Sequence, residues 1–246
     1  AGGGAGGEAL TELGEGEGEV NLIAWAGYVE DGSTDPAVDW VTPFEDETGC
    51  KVNVKVGNTS DEMVALMQSG EYDFAYYILL EEEVLKRIEL GGKGRVMTIP
   101  SSGVSHIQLN QTDPWTEVDG ERSGLKASHP FLSDPVMRTA IGLLVDRQTI
   151  QDNLVGRTGQ IAVNILNTPD RFRSPNNTWE FSVDKASMIL DRAGWARGAD
   201  GVRAKDGKRL RLVFQATAHA LTQKVQAVVK QAAARAGIEM ELKSIT

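Results

Sequence analysis

The sequence predicts an α/β fold built on a parallel sheet, and three segments of the first third carry that prediction. Residues 20–25 are a short apolar run, residues 51–56 alternate polar and apolar side chains, and residues 72–78 are a third run of β-forming residues. Helical patterns lie between them, which gives the order strand, helix, strand, helix, strand. That order builds a parallel sheet covered by helices, in which ligands bind at the carboxyl ends of the strands.

Start and stop signals place the two helices between these strands. Asp35 and Pro36 form a helix-start signature, and the first helix is expected to run to Gly49, although Pro43 disturbs its middle. The second helix is expected to begin at Ser60 and to end at Gly70.

The same patterns continue along the rest of the chain. Further helices are predicted at residues 81–90, 135–145, 146–154, 184–193 (with Asp184 as the cap) and 222–236. Further strands are predicted at residues 95–99, 106–110, 210–214 and 238–242. We expect a flexible Gly- and Glu-rich leader at 1–19, a first α/β lobe at 20–90 and a second at 91–246.

The composition bounds the classes of function. The chain of 246 residues is 41% apolar, and no apolar run approaches the ~20 residues of a membrane-spanning helix. Its single cysteine, Cys50, rules out an internal disulfide and a cysteine metal cluster. The three histidines are widely spaced, so neither a zinc site nor any other metal or cofactor is expected. No signal peptide is visible.

Charge is distributed unevenly. Residues 1–83 contain 2 Lys+Arg against 19 Asp+Glu, whereas residues 84–246 contain 23 against 16. The acidic first third would repel nucleic acid and attract cations, although acidic surfaces also serve solubility alone. We therefore expect no nucleic-acid partner.

Aromatic and acidic residues follow the predicted strands. Trp25 and Tyr28 come after the first strand and could hold an ammonium group by cation–π attraction. Glu62 or Asp61, at the next helix start, could supply the countercharge, with Asp73 as a further acidic candidate. On the bare sequence a plainer interpretation is favoured, in which Trp25 is a core residue and Glu62 caps the helix.

Residues 20–73 resemble the first lobe of the spermidine/putrescine-type solute-binding proteins. The matching segments are residues 22–28, 44–52 and 59–63. This resemblance implies that Trp25 and Tyr28 line a ligand pocket and that Ser60 and Glu62 border it.

Residues 71–246 resemble the peptide/nickel-type, or oligopeptide-binding, family. The matching segments are residues 70–75, 83–87, 106–115, 129–138 and 193–195, among others. The resemblance implies periplasmic-binding-protein-like lobes with mixed or parallel sheets flanked by helices. It also places Asn110 and the loop after Phe74, which carries Tyr76 and Tyr77, near the ligand cleft. With both resemblances present, the chain reads as chimera-like, with a junction at residues 71–74.

Together these observations predict a non-enzymatic solute-binding component of an ABC importer. It would capture a small cationic or peptidic solute by lobe closure and present it to the permease subunits, in the periplasm or outside the cell, without spanning the membrane itself. The alternative is a recombined, truncated or engineered structural or interaction module without a working pocket. An enzyme is disfavoured because neither a nucleotide P-loop nor a nucleophile elbow occurs.

Overall fold

The computed structural model describes residues 16–75, 81–91, 95–99 and 101–245. The chain divides into two compact units, the first of which ends at Ile99. The lobe boundary expected after residue 90 and the assignment of the lobes stay predictions. Most of the expected leader lies outside the described residues, and the first strand begins at Glu19.

The first unit is built on a three-stranded parallel sheet. Its strands are β1 (Glu19–Ala24), β2 (Lys51–Val56) and β3 (Phe74–Ala75), in the order β2-β1-β3. Leu22 of β1 lies between Val54 of β2 and Phe74 of β3, which fixes the register. The predicted parallel sheet is therefore confirmed, and its strand-helix order matches the sequence pattern.

Three helices accompany this sheet: α1 (Val41–Thr48), α2 (Ser60–Ser69) and α3 (Glu82–Leu90). Helices α1 and α2 end at Gly49 and Gly70, as predicted, and both glycines adopt the left-handed conformation that L side chains avoid. Thr59 caps α2 by accepting a hydrogen bond from the Glu62 amide.

The predicted start of α1 at Asp35 and Pro36 is wrong. The Asp35 side chain instead accepts a hydrogen bond from the Ala37 amide at 2.9 Å, which closes a turn. The helix begins at Val41, after Asp39 has accepted a hydrogen bond from the Thr42 amide. With this later start Pro43 falls in the first turn, where its missing N–H leaves no helical hydrogen bond unmade.

The two faces of the first sheet differ because side chains alternate along each strand. One face carries Ile23, and α2 packs on it through Met63, since both side chains lie against Gly57 and both are buried. A Cβ atom at Gly57 would lie 2.6 Å from Met63 Cγ, so the close approach of helix and strand requires glycine here. The other face carries Val54 and Phe74, which are about half exposed.

The described part of the second unit combines short hairpins, four α-helices, shorter helical turns and a two-stranded parallel sheet. Its strands are β4 (Glu117–Val118), β5 (Glu121–Arg122), β6 (Ala196–Arg197), β7 (Arg203–Lys205), β8 (Lys208–Arg209), β9 (Arg211–Thr217) and β10 (Glu239–Ile245). Its α-helices are α4 (Pro135–Gly142), α5 (Arg147–Ile150), α6 (Val183–Arg192) and α7 (Ala220–Ala236), and α5 continues into a wider π turn at Gln151–Val155.

One continuous core fills this unit. Strands β9 and β10 pair in parallel and alternate cleanly, with Leu212 and Met240 buried toward α7. Residues of α4, α6 and α7 complete the core, including the fully buried Met137, Leu190 and Val229. The predicted strands 210–214 and 238–242 and the helix 222–236 are confirmed within a few residues of their bounds.

A buried arginine ties several segments of this core together. Arg203 is 2% exposed, pairs with Asp191 and donates hydrogen bonds to the carbonyls of Trp195 at 2.7 Å and Ala236 at 2.6 Å. A weaker bond reaches the Ser187 carbonyl at 3.3 Å. Because every one of these acceptors belongs to α6, α7 or the turn after α6, the guanidinium fixes how these helices meet the β7 strand.

Three other predictions fail. Residues 95–99 and 106–110 pair with no strand in the described part of the chain. In the second segment Ile107 and Leu109 still pack on the core. The alternation of polar and apolar residues there therefore reflects burial of every second side chain and not strand pairing. The cap of α6 is Ser182, which accepts from the Lys185 amide, and Asp184 lies in the first turn instead.

Candidate functional site

The carboxyl ends of the first sheet are the predicted site. At the end of β1, Trp25 is half-buried and its carbonyl accepts a hydrogen bond from the Tyr28 amide at 3.1 Å. Gly27 completes this turn with φ of 81°, a value that favours glycine. Tyr28 is 54% exposed, so the turn holds one aromatic ring against the protein and the other toward solvent.

The loop after β2 lies beside this turn. The Gly57 amide donates to the Ala24 carbonyl at 2.9 Å, so the chain segments leaving β1 and β2 are adjacent. The segment that follows leads through Asn58 and Thr59 into α2, whose first residue, Ser60, is half-buried. The structure therefore brings Trp25 and the start of α2 to the same end of the sheet.

Glu62 has a structural task at that end. Its carboxylate accepts hydrogen bonds from the amide and the side chain of Asn58, at 3.0 and 3.2 Å, while its own amide donates to Thr59 Oγ1 at 3.1 Å. The arrangement resembles a capping box, except that the carboxylate accepts from Asn58, the residue before the cap, rather than from the Thr59 amide. The backbone hydrogen bond from Asn58 is the largest cause of the lowered pKa of Glu62, and the bond from the Asn58 side chain is the next. The carboxylate stays negative to lower pH than usual.

The remaining predicted site residues are Tyr76, Tyr77 and Asn110. Tyr76 and Tyr77 fall outside the described residues, so their role stays a prediction. Asn110 belongs to the second unit, where its side-chain oxygen accepts hydrogen bonds from the amide and hydroxyl of Thr112 at 3.0 and 2.7 Å and shapes an exposed turn. No metal-binding group of three or more His, Cys, Asp or Glu residues occurs among the residues that the structure describes.

A cavity of about 280 Å³ lies away from the predicted edge, on the face of the first sheet that also carries Ile23. It is an open hollow lined by residues of β1, β2 and the segment that enters β3: Asn21, Asn53, Val54, Lys55, Glu71 and Tyr72. Sequence reasoning missed it. The available signal was the polar residue at the same step of two neighbouring strands, since Asn21 and Asn53 are register partners.

His129 in the second unit is held as a neutral structural residue. Its Nδ1 accepts hydrogen bonds from the amides of Phe131 and Leu132 at 3.1 and 3.0 Å. Its ring packs between Trp115 and Phe131, with centroids 5.8 Å away in each case. Burial lowers the pKa of His129, and the nearby charge of Asp113 opposes that shift. These contacts give His129 a structural role in the second unit.

Among the described residues no helix is long and apolar enough to span a membrane. Solved structures that resemble the chain are solute-binding proteins. NikZ from Campylobacter jejuni in complex with Ni(L-His) matches with a TM-score of 0.55 and 19% identity, over 78% of this chain and 36% of that one. The oligopeptide-binding protein AppA from Bacillus subtilis, in complex with a nonapeptide, matches with a TM-score of 0.55 and 20% identity, over 80% of this chain and 36% of that one. At these identities the likeness shows the periplasmic-binding-protein-like fold alone.

Among curated proteins, Protein XP55 from Streptomyces lividans is 29% identical over 123 residues, which are 50% of this chain and 23% of that protein. The chain therefore spans between about a quarter and two-fifths of the length of these relatives.

The family comparison decides between the two resemblances. A single match runs from residue 50 to residue 246 and crosses the supposed junction at residues 71–74. It supports the peptide/nickel-type resemblance, whereas the spermidine/putrescine-type segment and the chimera receive no support. The chain belongs to the bacterial extracellular solute-binding proteins, family 5, whose middle region it matches over residues 50–246.

Proposed function

We propose that this chain is part of the substrate-binding component of an ABC importer and that it binds a peptide or a nickel complex without chemical turnover. The family 5 match over residues 50–246 carries the proposal. AppA and NikZ, which share the fold, are described with a nonapeptide and with Ni(L-His), so these are the first ligands to test. On this proposal the protein works outside the cytoplasmic membrane and delivers its ligand to permease subunits.

The proposed ligand-contacting residues are those at the carboxyl edge of the first sheet. Trp25 and Tyr28 offer ring faces after β1. Ser60 and Glu62 lie in the first turn of α2, which follows the neighbouring strand β2, and would border the ligand. Tyr76, Tyr77 and Asn110 remain further proposed contacts on the strength of the resemblance. The excess of acidic residues in the first third supports a ligand that carries positive charge, such as a basic peptide.

Isothermal titration calorimetry tests this function directly. The 246-residue chain is titrated with a defined pool of nonapeptides, with the Ni(II)–L-histidine complex and with spermidine. We expect saturable heat with the peptides or the nickel complex. Heat with spermidine alone would favour the cationic-solute alternative. No heat with any of the three would contradict capture by this chain and favour a structural or interaction module.

Two substitutions separate contact from folding. Trp25→Ala removes a ring face. Glu62→Gln removes a charge but keeps a side-chain oxygen that can accept the hydrogen bond from the Asn58 amide. We expect both to weaken binding of a basic nonapeptide. Glu83→Gln, an exposed acid in the first turn of α3, is the matched control and should leave binding unchanged. Unchanged binding in both test variants would show that the ligand is held elsewhere.

A further inference from the structure

Strand β10 forms an open edge of the parallel sheet in the second unit. Among the described residues it pairs only with β9. The Glu239 amide donates to the Leu210 carbonyl at 3.1 Å, so the backbone of Glu239 points toward β9. Because the N–H and C=O groups of successive residues point to opposite sides of a strand, those of Met240, Leu242 and Ser244 point away from β9. Such a row is a template for a further strand.

The exposed face of β10 carries opposite charges two residues apart. Side chains alternate along the strand, so Met240 and Leu242 pack on the core, whereas Glu241 and Lys243 are exposed. Glu241 already pairs with Arg211 at 2.7 Å through its Oε2 atom, and a carboxylate accepts further donors at its other oxygen. The strand therefore presents one acid and one base on the same face, next to its open edge.

A second copy of the chain fits this edge when the two β10 strands run antiparallel and are centred on Leu242. Met240 then lies opposite Ser244 of the second copy, and the outward backbone groups meet as hydrogen-bonded pairs. Glu241 lies opposite Lys243 in the pairs between them, where the Cα atoms are about 4.5 Å apart, and the twofold axis repeats this contact.

The charges select this register over its neighbours. A slip of two residues would place Glu241 opposite Glu241, or Lys243 opposite Lys243, according to its direction. A slip of one residue would set the apolar face of one copy beside the polar face of the other. The pairing centred on Leu242 avoids both penalties.

The open edges of β2 and β9 lack this complementarity. An antiparallel pairing of two β2 strands centred on Asn53 would place Lys51 opposite Lys55, and lysines at such positions oppose edge pairing. On β9 the only charged residue is Arg211, so no opposite charge would meet it in a second β9 strand. Of these three long strands, β10 alone is complementary to its own reverse.

We propose that the edge of β10 is a self-association surface, to which a second copy of this chain adds its own β10 as an antiparallel strand. The two sheets then form one continuous sheet, and the reciprocal contacts of Glu241 with Lys243 fix its register. The interface involves none of the proposed ligand contacts, so it does not rest on the function proposed above.

Analytical ultracentrifugation with charge reversals tests this surface in the 246-residue chain. We expect a concentration-dependent equilibrium between monomer and dimer in the wild type. Glu241→Lys and Lys243→Glu each place like charges opposite one another twice and should weaken dimerisation by roughly tenfold or more. An equimolar mixture of the two variants restores both pairs of opposite charge and should dimerise about as well as the wild type. Lys230→Glu is the matched control, since it makes the same charge change at an exposed position of α7.

Amide hydrogen exchange locates the interface. The amides of Met240, Leu242 and Ser244 should exchange more slowly as the wild-type concentration rises, because the second copy supplies their acceptors. A wild type that stays monomeric at every concentration overturns the proposal. A dimer that both single variants leave equally stable overturns it too, as does a mixture no more dimeric than its components or protection confined to other strands.

Discussion

The two units of the chain bury their parallel sheets to different extents. In the second unit the buried face of β9 and β10 meets α7, and the outer face carries charged residues that pair across the strands, such as Arg211 with Glu241 at 2.7 Å. In the first unit Val54, Val56 and Phe74 are 40%, 44% and 53% exposed, although they lie on strands of a parallel sheet. Parallel sheets are normally covered on both faces.

The cores differ in the same direction. A single cluster of 17 buried apolar residues holds the second unit together. Among the described residues of the first unit the buried apolar side chains are only Ile23, Ala24, Val41, Met63, Val64 and Leu85. Since burial of apolar area is the main stabilising contribution, the second unit should be the more resistant to local opening. Hydrogen exchange should therefore be slower in β9 and β10 than in β1 and β2.

The largest effect is expected at the buried arginine of the second unit. Arg203→Met should lower the free energy of unfolding by about 3–5 kcal/mol, because it leaves the carbonyls of Trp195 and Ala236 without their donor. Arg209→Met is the control, since Arg209 is half exposed and pairs with Asp200 and Glu239 at the surface. It should cost less than about 1 kcal/mol. Urea unfolding measures both changes. An equal decrease in the free energy of unfolding for the two variants would contradict the structural role of Arg203.

A smaller effect is expected in the first unit. Gly57→Ala places a Cβ atom 2.6 Å from Met63 Cγ and should destabilise by about 1–3 kcal/mol as the helix is pushed from the sheet. Gly142→Ala is the matched control, because no atom lies within 4 Å of the added Cβ. Thermal unfolding should show a lower melting temperature for the first variant only. An unchanged melting temperature would contradict the close contact between Gly57 and Met63 of α2.

Helix caps provide a third comparison. Ser182→Ala should cost about 1 kcal/mol, since the hydroxyl accepts the Lys185 amide at 3.1 Å. Asp184→Ala should cost less, because Asp184 stabilises α6 only through the attraction between its negative charge and the positive end of the helix dipole. Thr59→Ala tests the equivalent cap of α2 in the first unit. If Asp184→Ala costs more than Ser182→Ala in denaturant unfolding, the cap assigned from the sequence was right after all.

The smallest effect concerns pH and is confined to the second unit. The pKa of folded His129 lies below its ordinary value of 6.5, mainly because of burial. As the pH falls, the histidine of the unfolded chain therefore takes up a proton before that of the folded chain. The free energy of unfolding is consequently unaffected by His129 above pH 6.5 and decreases below it. Urea unfolding between about pH 7.5 and 5.5 should show that decline in the wild type. In His129→Gln the free energy of unfolding should fall less steeply between these pH values. The same pH dependence in both proteins would contradict this role of His129.

The sequence predicted the elements whose pattern and boundaries are both local. Alternation located β2 and β10, and glycines marked the ends of α1 and α2, where both adopt the left-handed conformation that favours glycine. Residues 106–110 show where this reasoning stops. Their alternation reflects burial of Ile107 and Leu109, whereas a strand also needs a partner that no local pattern can supply.

The candidate site was predictable to a similar degree. The positions of Trp25 and Ser60 at one end of the sheet follow from the strand-helix order. The sequence also offered the capping role of Glu62 as the plainer interpretation, although it did not identify Asn58 as the partner of the carboxylate or Thr59 as the cap. For the hollow over Asn21 the sequence offered only the polar residues Asn21 and Asn53, because their pairing depends on the strand register and a local pattern does not give the register.

The close contact between Arg203 and Gly237 restricts how this part of the molecule can evolve. A Cβ atom at position 237 would lie 2.9 Å from Arg203 Cγ and 3.0 Å from the Gly201 carbonyl, and Gly237 has φ of 86°. A lineage that keeps the arginine must therefore keep the glycine. A lineage that replaces the arginine alone must find other donors for the carbonyls left behind, and the positive φ and the nearby Gly201 carbonyl still favour glycine at position 237.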